Sequence, residues 1–332
     1  MSRRNREGEV TVDIGFVACP SPGSQVHPMI SKGAPATIRC LLDVCSRDQN
    51  AQPECVLTRD TGEYHIELAT DVSRVNDCYD LFARHLLPTE IERKGRFKEN
   101  ALLDMSGKPY VPYRVFYVRG RGGEIVAAYA TNTVRMRGNR GAVFLGAYAA
   151  TSRQYQGVGF MRELYASALM QSVRDACSLG TTLQLALGEC TEAGRRTWAR
   201  LGRKEPYIRR PDGTHVAVYV VQPPLSFNLA TGLPSTGATT VNERMMVDGF
   251  GSKVTKDLLI GGFGGLCDWT GRRESDEFAG DNPSASYAVY RSCFSGLERD
   301  FATRLNGGTL VLLSIDERAA LEFMGVTFRD PL

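Results

Sequence analysis

The feature that most constrains the fold is the stretch of residues 141–164, GAVFLGAYAATSRQYQGVGFMREL. Its first part is apolar and rich in small residues, which is typical of a buried strand. A polar turn at residues 151–153 follows, and a loop with two glycines then leads directly into an apolar-periodic segment typical of a helix. A strand, a glycine loop and a helix in this order place several backbone N–H groups at a helix N-terminus, where they can bind an anion.

The spacing within this loop is more specific. Gln154, Gly157 and Gly159 form the pattern Gln-x-x-Gly-x-Gly. It resembles the pyrophosphate loop of the GNAT superfamily of coenzyme A-dependent N-acyltransferases, which has Gln or Arg, two residues, Gly, one residue and then Gly or Ala. The order of predicted elements over residues 60–222 resembles the same family. The resemblance implies an α/β fold of the α+β type with a mixed sheet.

A cofactor follows from the resemblance: acetyl-CoA, or a longer acyl-CoA, as co-substrate. Glycine lets the backbone approach a pyrophosphate without a Cβ in the way. The small residues of the preceding strand let a ligand lie flat against the backbone. The residues expected to bind the cofactor are Ala147, Tyr148, Ala149, Gln154, Tyr155, Gln156, Gly157, Val158, Gly159, Phe160 and Met161.

The catalytic residues are less well marked. The resemblance implies direct attack of a primary amine on the thioester, with a strand N–H near residues 147–149 polarising the carbonyl. The strand before the loop contains no carboxylate, so Glu189, at the end of the next predicted strand, is the candidate base. Trp198 occupies the position where family members often carry an acidic Tyr, and indole is not a useful proton donor. Cys190 is an alternative nucleophile, although a buried structural cysteine is the favoured interpretation.

Basic residues offer a second contact. Arg135, Arg137 and Arg140 lie in the loop before the central strand and could attract the 3′-phosphate of the cofactor, or form a solvated loop. Earlier in the chain, His65 on the polar side of a strand is interpreted as solvated. Two helices, predicted to start near Ser73 and Thr89 and to reach residue 105, are implied to line the acceptor side.

The chain is divided into three parts by composition. They are an N-terminal extension (1–60), a GNAT-like acyltransferase domain (61–224) and a C-terminal accessory α+β domain (225–332), which could be a degenerate GNAT-like half. From residue 226 onward, 10 Lys and Arg stand against 14 Asp and Glu. In this last part, residues 261–265 predict a turn, 286–290 and 309–313 predict strands, and 317–324 predict a short helix.

Composition limits the function classes. A net charge of +3 with 23% charged residues argues against a nucleic-acid binder that relies on a strong basic field. No apolar run approaches the roughly 18 residues of a membrane span, and nine irregularly spaced cysteines favour reduced thiols over a metal site. We therefore expect a cytoplasmic enzyme without a metal.

The expected activity is transfer of an acyl group from acyl-CoA to an amine, where the acceptor is a small molecule, a peptide or a protein lysine. A coenzyme A-binding regulatory or interaction module with decayed catalysis is the alternative, supported by Trp198 and the missing strand carboxylate. An α/β protein that holds another phosphate is a third interpretation. A homodimer is left open.

Overall fold

The structure is a computed structural model of the 332-residue chain. It describes residues 11–16, 29–35, 55–59, 62–86, 91, 94–102, 114–120, 122–138, 141–190, 192–222, 227–228, 233–234, 241–277 and 283–330.

Strands and helices alternate along these segments. The strands are β1 (Thr11–Phe16), β2 (Met29–Pro35), β3 (Cys55–Arg59), β4 (Gly62–Leu68), β5 (Arg114–Arg119), β6 (Ile125–Arg135), β7 (Gly141–Thr151), β8 (Thr182–Cys190), β9 (Glu205–Arg209), β10 (His215–Ala217), β11 (Tyr219–Gln222), β12 (Phe227–Asn228), β13 (Leu233–Pro234), β14 (Val241–Asp248), β15 (Thr309–Leu313) and β16 (Phe328–Arg329). The helices are α1 (Val72–His85), α2 (Lys94–Leu102), α3 (Phe160–Ser178), α4 (Glu192–Arg200), α5 (Lys256–Glu277), α6 (Pro283–Asn306) and α7 (Ile315–Phe323).

The chain forms two compact units. The first contains residues 1–135, 140–184 and 250–252, and the second contains residues 136–139, 185–249 and 253–332. The division into parts at residues 60 and 224 stays a prediction.

The first unit is organised around antiparallel strands in the order β7-β6-β5-β4-β3. Helix α3 packs on one face, where Tyr165 contacts Tyr129 and Phe144. On β7, the ring of Tyr148 contacts Phe82 of α1. A register shift between β6 and β7 places an extra residue in β7 between Gly146 and Tyr148. Such a bulge turns the following side chain to the other face, which is why Phe144 and Tyr148 contact different helices.

The N-cap of helix α1 lies two residues earlier than predicted. Asp71, not Ser73, is its N-cap, and its side chain accepts a hydrogen bond of 2.9 Å from the backbone N–H of Arg74. Asp is as good a cap as Ser because its carboxylate satisfies an otherwise unpaired N–H and faces the positive end of the helix dipole. The second predicted helix corresponds to α2, and its proposed cap Thr89 lies outside the described residues.

The second unit contains a mixed sheet. Its four strands lie in the order β15-β9-β10-β16, with β10 and β16 parallel and the other pairs antiparallel. A further antiparallel set joins β8, β14 and β11. Helices α5 and α6 pack together, with the rings of Phe263 and Phe301 4.4 Å apart. The α+β class is therefore confirmed.

Two predictions in the second unit are wrong. Residues 261–265, read as a turn, lie inside α5, where the absence of a side chain at Gly261 lets the backbone of Arg137 approach and donate a hydrogen bond of 2.9 Å to its carbonyl. Residues 286–290, read as a strand, lie in α6. That short apolar run does not distinguish strand from helix, whereas Pro283 at the first helical position is a helix-start signal.

Other predictions are confirmed. The sequence Pro-Asp-Gly at residues 211–213 predicts a hairpin turn, and this turn forms between β9 and β10, with Gly213 at φ 85° and the Asp212 carboxylate accepting from the N–H of Thr214 at 2.9 Å. Strand β15 occupies the predicted residues. Helix α7 starts two residues before the prediction because Ser314 and Glu317 form a reciprocal capping box.

Candidate functional site

The predicted loop has the expected local structure. Strand β7 ends at Thr151, a 3-10 turn covers Arg153–Tyr155, and α3 begins at Phe160. Gly159 is the N-cap residue and has a φ of 93°, a left-handed conformation that favours glycine. The first N–H groups of an α-helix have no intrahelical acceptor. Those of α3 therefore face the loop as hydrogen-bond donors.

Gly157 is the second residue whose conformation requires glycine. Its φ is 82°, it is exposed, and a Cβ built on it would meet no heavy atom of the described residues within 4 Å. The glycine is thus needed for its backbone conformation and not for internal packing. The space beside it is open to a ligand, and the positive end of the α3 dipole lies next to it in the chain.

An aromatic cluster holds the loop against the sheet. The ring of Tyr155 lies 6.3 Å from Tyr64 of β4 and 6.2 Å from Phe160 of α3, and the last two rings are 4.7 Å apart. The Tyr155 hydroxyl donates to the Glu124 carboxylate at 3.1 Å, and this hydrogen bond raises the pKa of Tyr155. Tyr155 therefore anchors the turn, while Gln154 and Gln156 are exposed.

One segment of β7, the strand before the loop, is partly exposed to solvent. Residues 141–145 are buried, whereas 146–149 are half-exposed. The bulge between Gly146 and Tyr148 lies within this half-exposed segment. A bulge leaves a residue outside the regular ladder, so it can leave main-chain groups available to a ligand. Tyr148 has the only large side chain of the segment, and its ring centroid is 5.8 Å from Phe82 and 6.1 Å from Phe97.

Glu189, the candidate base, lies in β8 with its backbone opposite Met245. Its side chain is outside the described part of the structure, so its role stays a prediction. The adjacent Cys190 is buried, in agreement with a structural role.

Trp198 is buried, and it is covered by a residue that the sequence did not indicate. The guanidinium of Arg203 lies 4.5 Å from the centre of the Trp198 indole ring and is itself 1% exposed. Such a cation–π contact is worth up to about 2 kcal/mol when it is desolvated. Only the three-dimensional structure connects Arg203 to Trp198.

The guanidinium of Arg203 also explains why residue 188 in β8 is a glycine. A Cβ at Gly188 would collide with that guanidinium. We expect Gly188→Ala to lower the free energy of unfolding by about 1–3 kcal/mol, since the guanidinium of Arg203, which is 1% exposed, would have to shift within a buried site. Urea denaturation measures this change. Gly296→Ala in α6 is the matched control, because its Cβ meets no described atom within 4 Å, and it should be neutral or stabilising. Equal effects of the two substitutions would contradict the account.

A polar cluster on β4 and β5 was also missed. The Glu67 carboxylate accepts hydrogen bonds from the Tyr117 hydroxyl and from Arg119 Nε at 2.8 Å. Burial raises the pKa of Glu67, but the hydrogen bonds from Tyr117 and Arg119 outweigh it and lower that pKa below its ordinary value. Glu67 is thus held as an ionised partner of its neighbours, which makes it a poor general base.

Arg135 and Arg137 of the basic loop have hydrogen-bond or ion-pair partners within the chain. Arg135 donates to the carbonyl of Leu179, and Arg137 forms ion pairs with Asp268 and Glu298. Arg140 lies outside the described residues. The structure thus gives Arg135 and Arg137 intramolecular partners, and their use for a cofactor phosphate stays a prediction.

The described residues lack a metal-binding cluster and a membrane-spanning helix. They contain no group of three or more His, Cys, Asp or Glu side chains able to hold a metal ion. None of their helices is long and apolar enough to cross a bilayer. Cys78, Cys190 and Cys267 are buried, but Cys177 is disulfide-bonded to a partner outside the described side chains, so reduced thiols were wrongly predicted at that position.

Comparison with known proteins gave structural neighbours only. No protein-family model and no curated protein matches the chain. Among solved structures, the chain is similar to the ribosomal-protein-S18-alanine N-acetyltransferase of Escherichia coli, with 16% identity, a TM-score of 0.35, and coverage of 57% of this chain and 96% of that one. It is also similar to an acetyltransferase of the GNAT family from Staphylococcus aureus Mu50, with 10% identity, a TM-score of 0.34, and coverage of 56% of this chain and 99% of that one. A third similar structure is glucosamine-6-phosphate N-acetyltransferase of Arabidopsis thaliana, with 11% identity, a TM-score of 0.31, and coverage of 42% of this chain and 90% of that one. All three of these solved structures are acetyltransferases.

Proposed function

We propose that the protein is an N-acyltransferase that moves an acyl group from acyl-CoA, most simply acetyl-CoA, to a primary amine. One observation carries the proposal. The exposed loop after β7 has Gly157 and Gly159 in left-handed conformations beside the N-terminus of α3. This is the arrangement in which backbone N–H groups and a helix dipole bind a pyrophosphate.

The cofactor would lie along two adjoining parts of the chain. Its pyrophosphate would accept hydrogen bonds from the backbone N–H groups of residues 157–161, because the N–H of Gln156 donates to the carbonyl of Arg153 at 3.3 Å. Its pantetheine arm and thioester would follow the half-exposed segment 146–149 of β7, which directly precedes the loop. A main-chain N–H there would polarise the thioester carbonyl, since donors aimed at the developing oxyanion lower the barrier.

The reaction proposed is direct attack in a ternary complex. The neutral amine attacks the carbonyl carbon, the C–S bond breaks, and the products are an amide and free coenzyme A. Glu189 is the proposed base that takes the ammonium proton, directly or through water. Because Trp198 cannot supply the proton for the leaving thiolate, that proton comes from another group or from solvent.

Thiol release tests the activity. The protein is incubated with acetyl-CoA and a panel of primary amines, small molecules and lysine peptides, and free coenzyme A is measured with a thiol reagent. We expect release that depends on both the amine and the protein and that falls strongly in Glu189→Gln. Release that is the same with and without every amine would contradict the transferase.

A coenzyme A-binding module without catalysis is the second candidate. The observation that favours it is the burial of Trp198 beneath Arg203, which leaves an indole where family members often carry the acidic hydroxyl. Tight binding of acetyl-CoA without turnover across the amine panel would support this candidate over the enzyme.

A further inference from the structure

One buried side chain of the central sheet has polar atoms without partners. Asn132 of β6 is 1% exposed, and neither its Oδ1 nor its Nδ2 has a hydrogen-bond partner among the described residues. Buried amides are normally paired, because the loss of water without a replacing hydrogen bond is unfavourable. An unpaired amide next to a proposed cofactor segment is therefore a candidate ligand-binding group.

The strand ladder places Asn132 beside the segment of β7 that is proposed to hold the thioester. Asn132 lies opposite Leu145, and the bulge between Gly146 and Tyr148 follows directly. Tyr148 lies opposite Ala130, which is two residues before Asn132 on β6. Residues two apart on a strand share a face of the sheet, as do residues directly opposite each other. Asn132 and Tyr148 therefore project from the same face, the one on which the ring of Tyr148 contacts α1.

The side chains that contact Tyr148 on this face are aromatic. Besides touching Tyr148, the rings of Phe82 and Phe97 lie 5.9 Å from each other, and Phe97 lies 5.4 Å from Tyr79. Phe82 and Phe97 are fully buried, whereas Tyr148 is half-exposed. Tyr148 thus forms the accessible end of a cluster held in place by buried rings. Such a surface favours a ligand with an apolar or aromatic body, because aromatic rings pack best against one another.

The charges around this face do not suit a ligand with several positive charges. Strands β5, β6 and β7 contain no Asp and no Glu. On α1, Asp77 is paired with Arg74 at 3.7 Å and Asp80 with Lys94 at 2.6 Å. On β4, the carboxylate of Glu67 is held by its own hydrogen-bond partners. A polyamine or an aminoglycoside would lose water here without gaining a free carboxylate in exchange.

We infer that the acceptor is a small primary amine with an aromatic body, bound on this face by Asn132 and Tyr148; this inference rests on the proposed acyl transfer. The ring of Tyr148 packs against the body of the acceptor. Asn132 Oδ1 accepts a hydrogen bond from an N–H of the amino group, which leaves the nitrogen lone pair for attack on the thioester carbonyl. Because Asn132 is enclosed in the unliganded chain, the half-exposed Tyr148 shifts as the acceptor enters, and a small molecule fits this position better than a protein surface does.

Calorimetric titration of 2-phenylethylamine into the full chain saturated with coenzyme A tests the acceptor class without requiring turnover. Spermidine and a lysine-containing peptide are the comparators. We expect 2-phenylethylamine to bind at least about tenfold more tightly than either. A chain that binds coenzyme A but not 2-phenylethylamine, or that binds a comparator equally well, would overturn this inference and leave the proposed cofactor site standing. A chain that does not bind coenzyme A would overturn both.

Asn132→Val tests the residue itself. It should weaken 2-phenylethylamine at least about tenfold and leave the affinity for coenzyme A unchanged. The melting temperature should not fall, because the substitution removes an unpaired buried polar group and valine is favoured in strands. If this variant does not fold, Asn132→Ala, which cannot overfill the site, replaces it.

Thr133→Val is the matched control. Thr133 is also 1% exposed, and its Oγ1 likewise has no hydrogen-bond partner among the described residues. It lies opposite Phe144, however, on the face that contacts α3. This variant should bind 2-phenylethylamine as the wild type does. Unchanged amine binding in a folded Asn132 variant, or an equal loss in Thr133→Val, would overturn the inference.

Discussion

Replacement of Gly157 by Asp should weaken the binding of coenzyme A at least about 100-fold, which corresponds to about 2.8 kcal/mol. The substituted side chain would project from the exposed turn into the space where the pyrophosphate is proposed to lie, because a Cβ there meets no described atom within 4 Å. A carboxylate at that position repels the diphosphate and competes with it for the N–H groups of α3. Isothermal titration calorimetry with coenzyme A measures the loss.

Gly157→Asn is the matched control for charge. Asn has almost the shape of Asp, and both tolerate a left-handed φ such as the 82° found here better than other residues with a side chain do. The strain of the backbone is thus similar in the two variants, and the Asn variant should bind within about tenfold of the wild type. If Asp and Asn weaken binding equally, or if neither does, the loop is not the phosphate site.

Replacement of Glu205 by Gln should lower the free energy of unfolding by about 1–3 kcal/mol. Glu205 is 2% exposed and is the shared carboxylate of a buried charge network in the second unit. Arg195 Nη2 donates to it at 2.9 Å, and Arg244 and Arg318 lie within 4 Å. Burial and the hydrogen bond to Glu205 raise the pKa of the neighbouring Tyr207. The substitution removes the carboxylate charge that Arg195 shares with Arg244 and Arg318 in a buried site, while Arg244 and Arg318 keep their ion pairs with Asp330.

Urea denaturation followed by circular dichroism measures this loss. Lys204→Gln is the control, because the Lys204–Glu317 pair, at 3.1 Å, is about half exposed on both sides and such pairs contribute about 0–1 kcal/mol. A change below about 1 kcal/mol in Glu205→Gln would show that the network does not stabilise the second unit.

The parts of the fold that the sequence predicted are those fixed by local signals. The loop from Gln154 to Gly159 could be found because two glycines at fixed spacing stood between a strand pattern and a helix pattern. The hairpin at Asp212 was predictable for the same reason, since turn residues act on their own backbone.

The features that were predicted wrongly or missed depend on contacts between residues that are distant in sequence. Nothing near Ala147 signals a bulge, because the extra residue is recognised only against the partner strand β6. The glycines at 261–265 suggested a turn because glycine disfavours a helix, yet tertiary packing of Gly261 against Arg137 overrides that propensity. The contact of Arg203 with Trp198 also lies outside sequence reasoning, since it connects a helix to the segment that follows it through burial and not through a pattern.

The central claim is that the loop after β7 binds the pyrophosphate of an acyl-CoA, and calorimetric titration of the wild-type protein tests it most directly. Acetyl-CoA and ATP are titrated in parallel at the same ionic strength. We expect one acetyl-CoA per chain, with an affinity at least about tenfold above that of ATP, because the pantetheine arm adds contacts along β7. No heat from acetyl-CoA or coenzyme A, or equal binding of ATP, would contradict it.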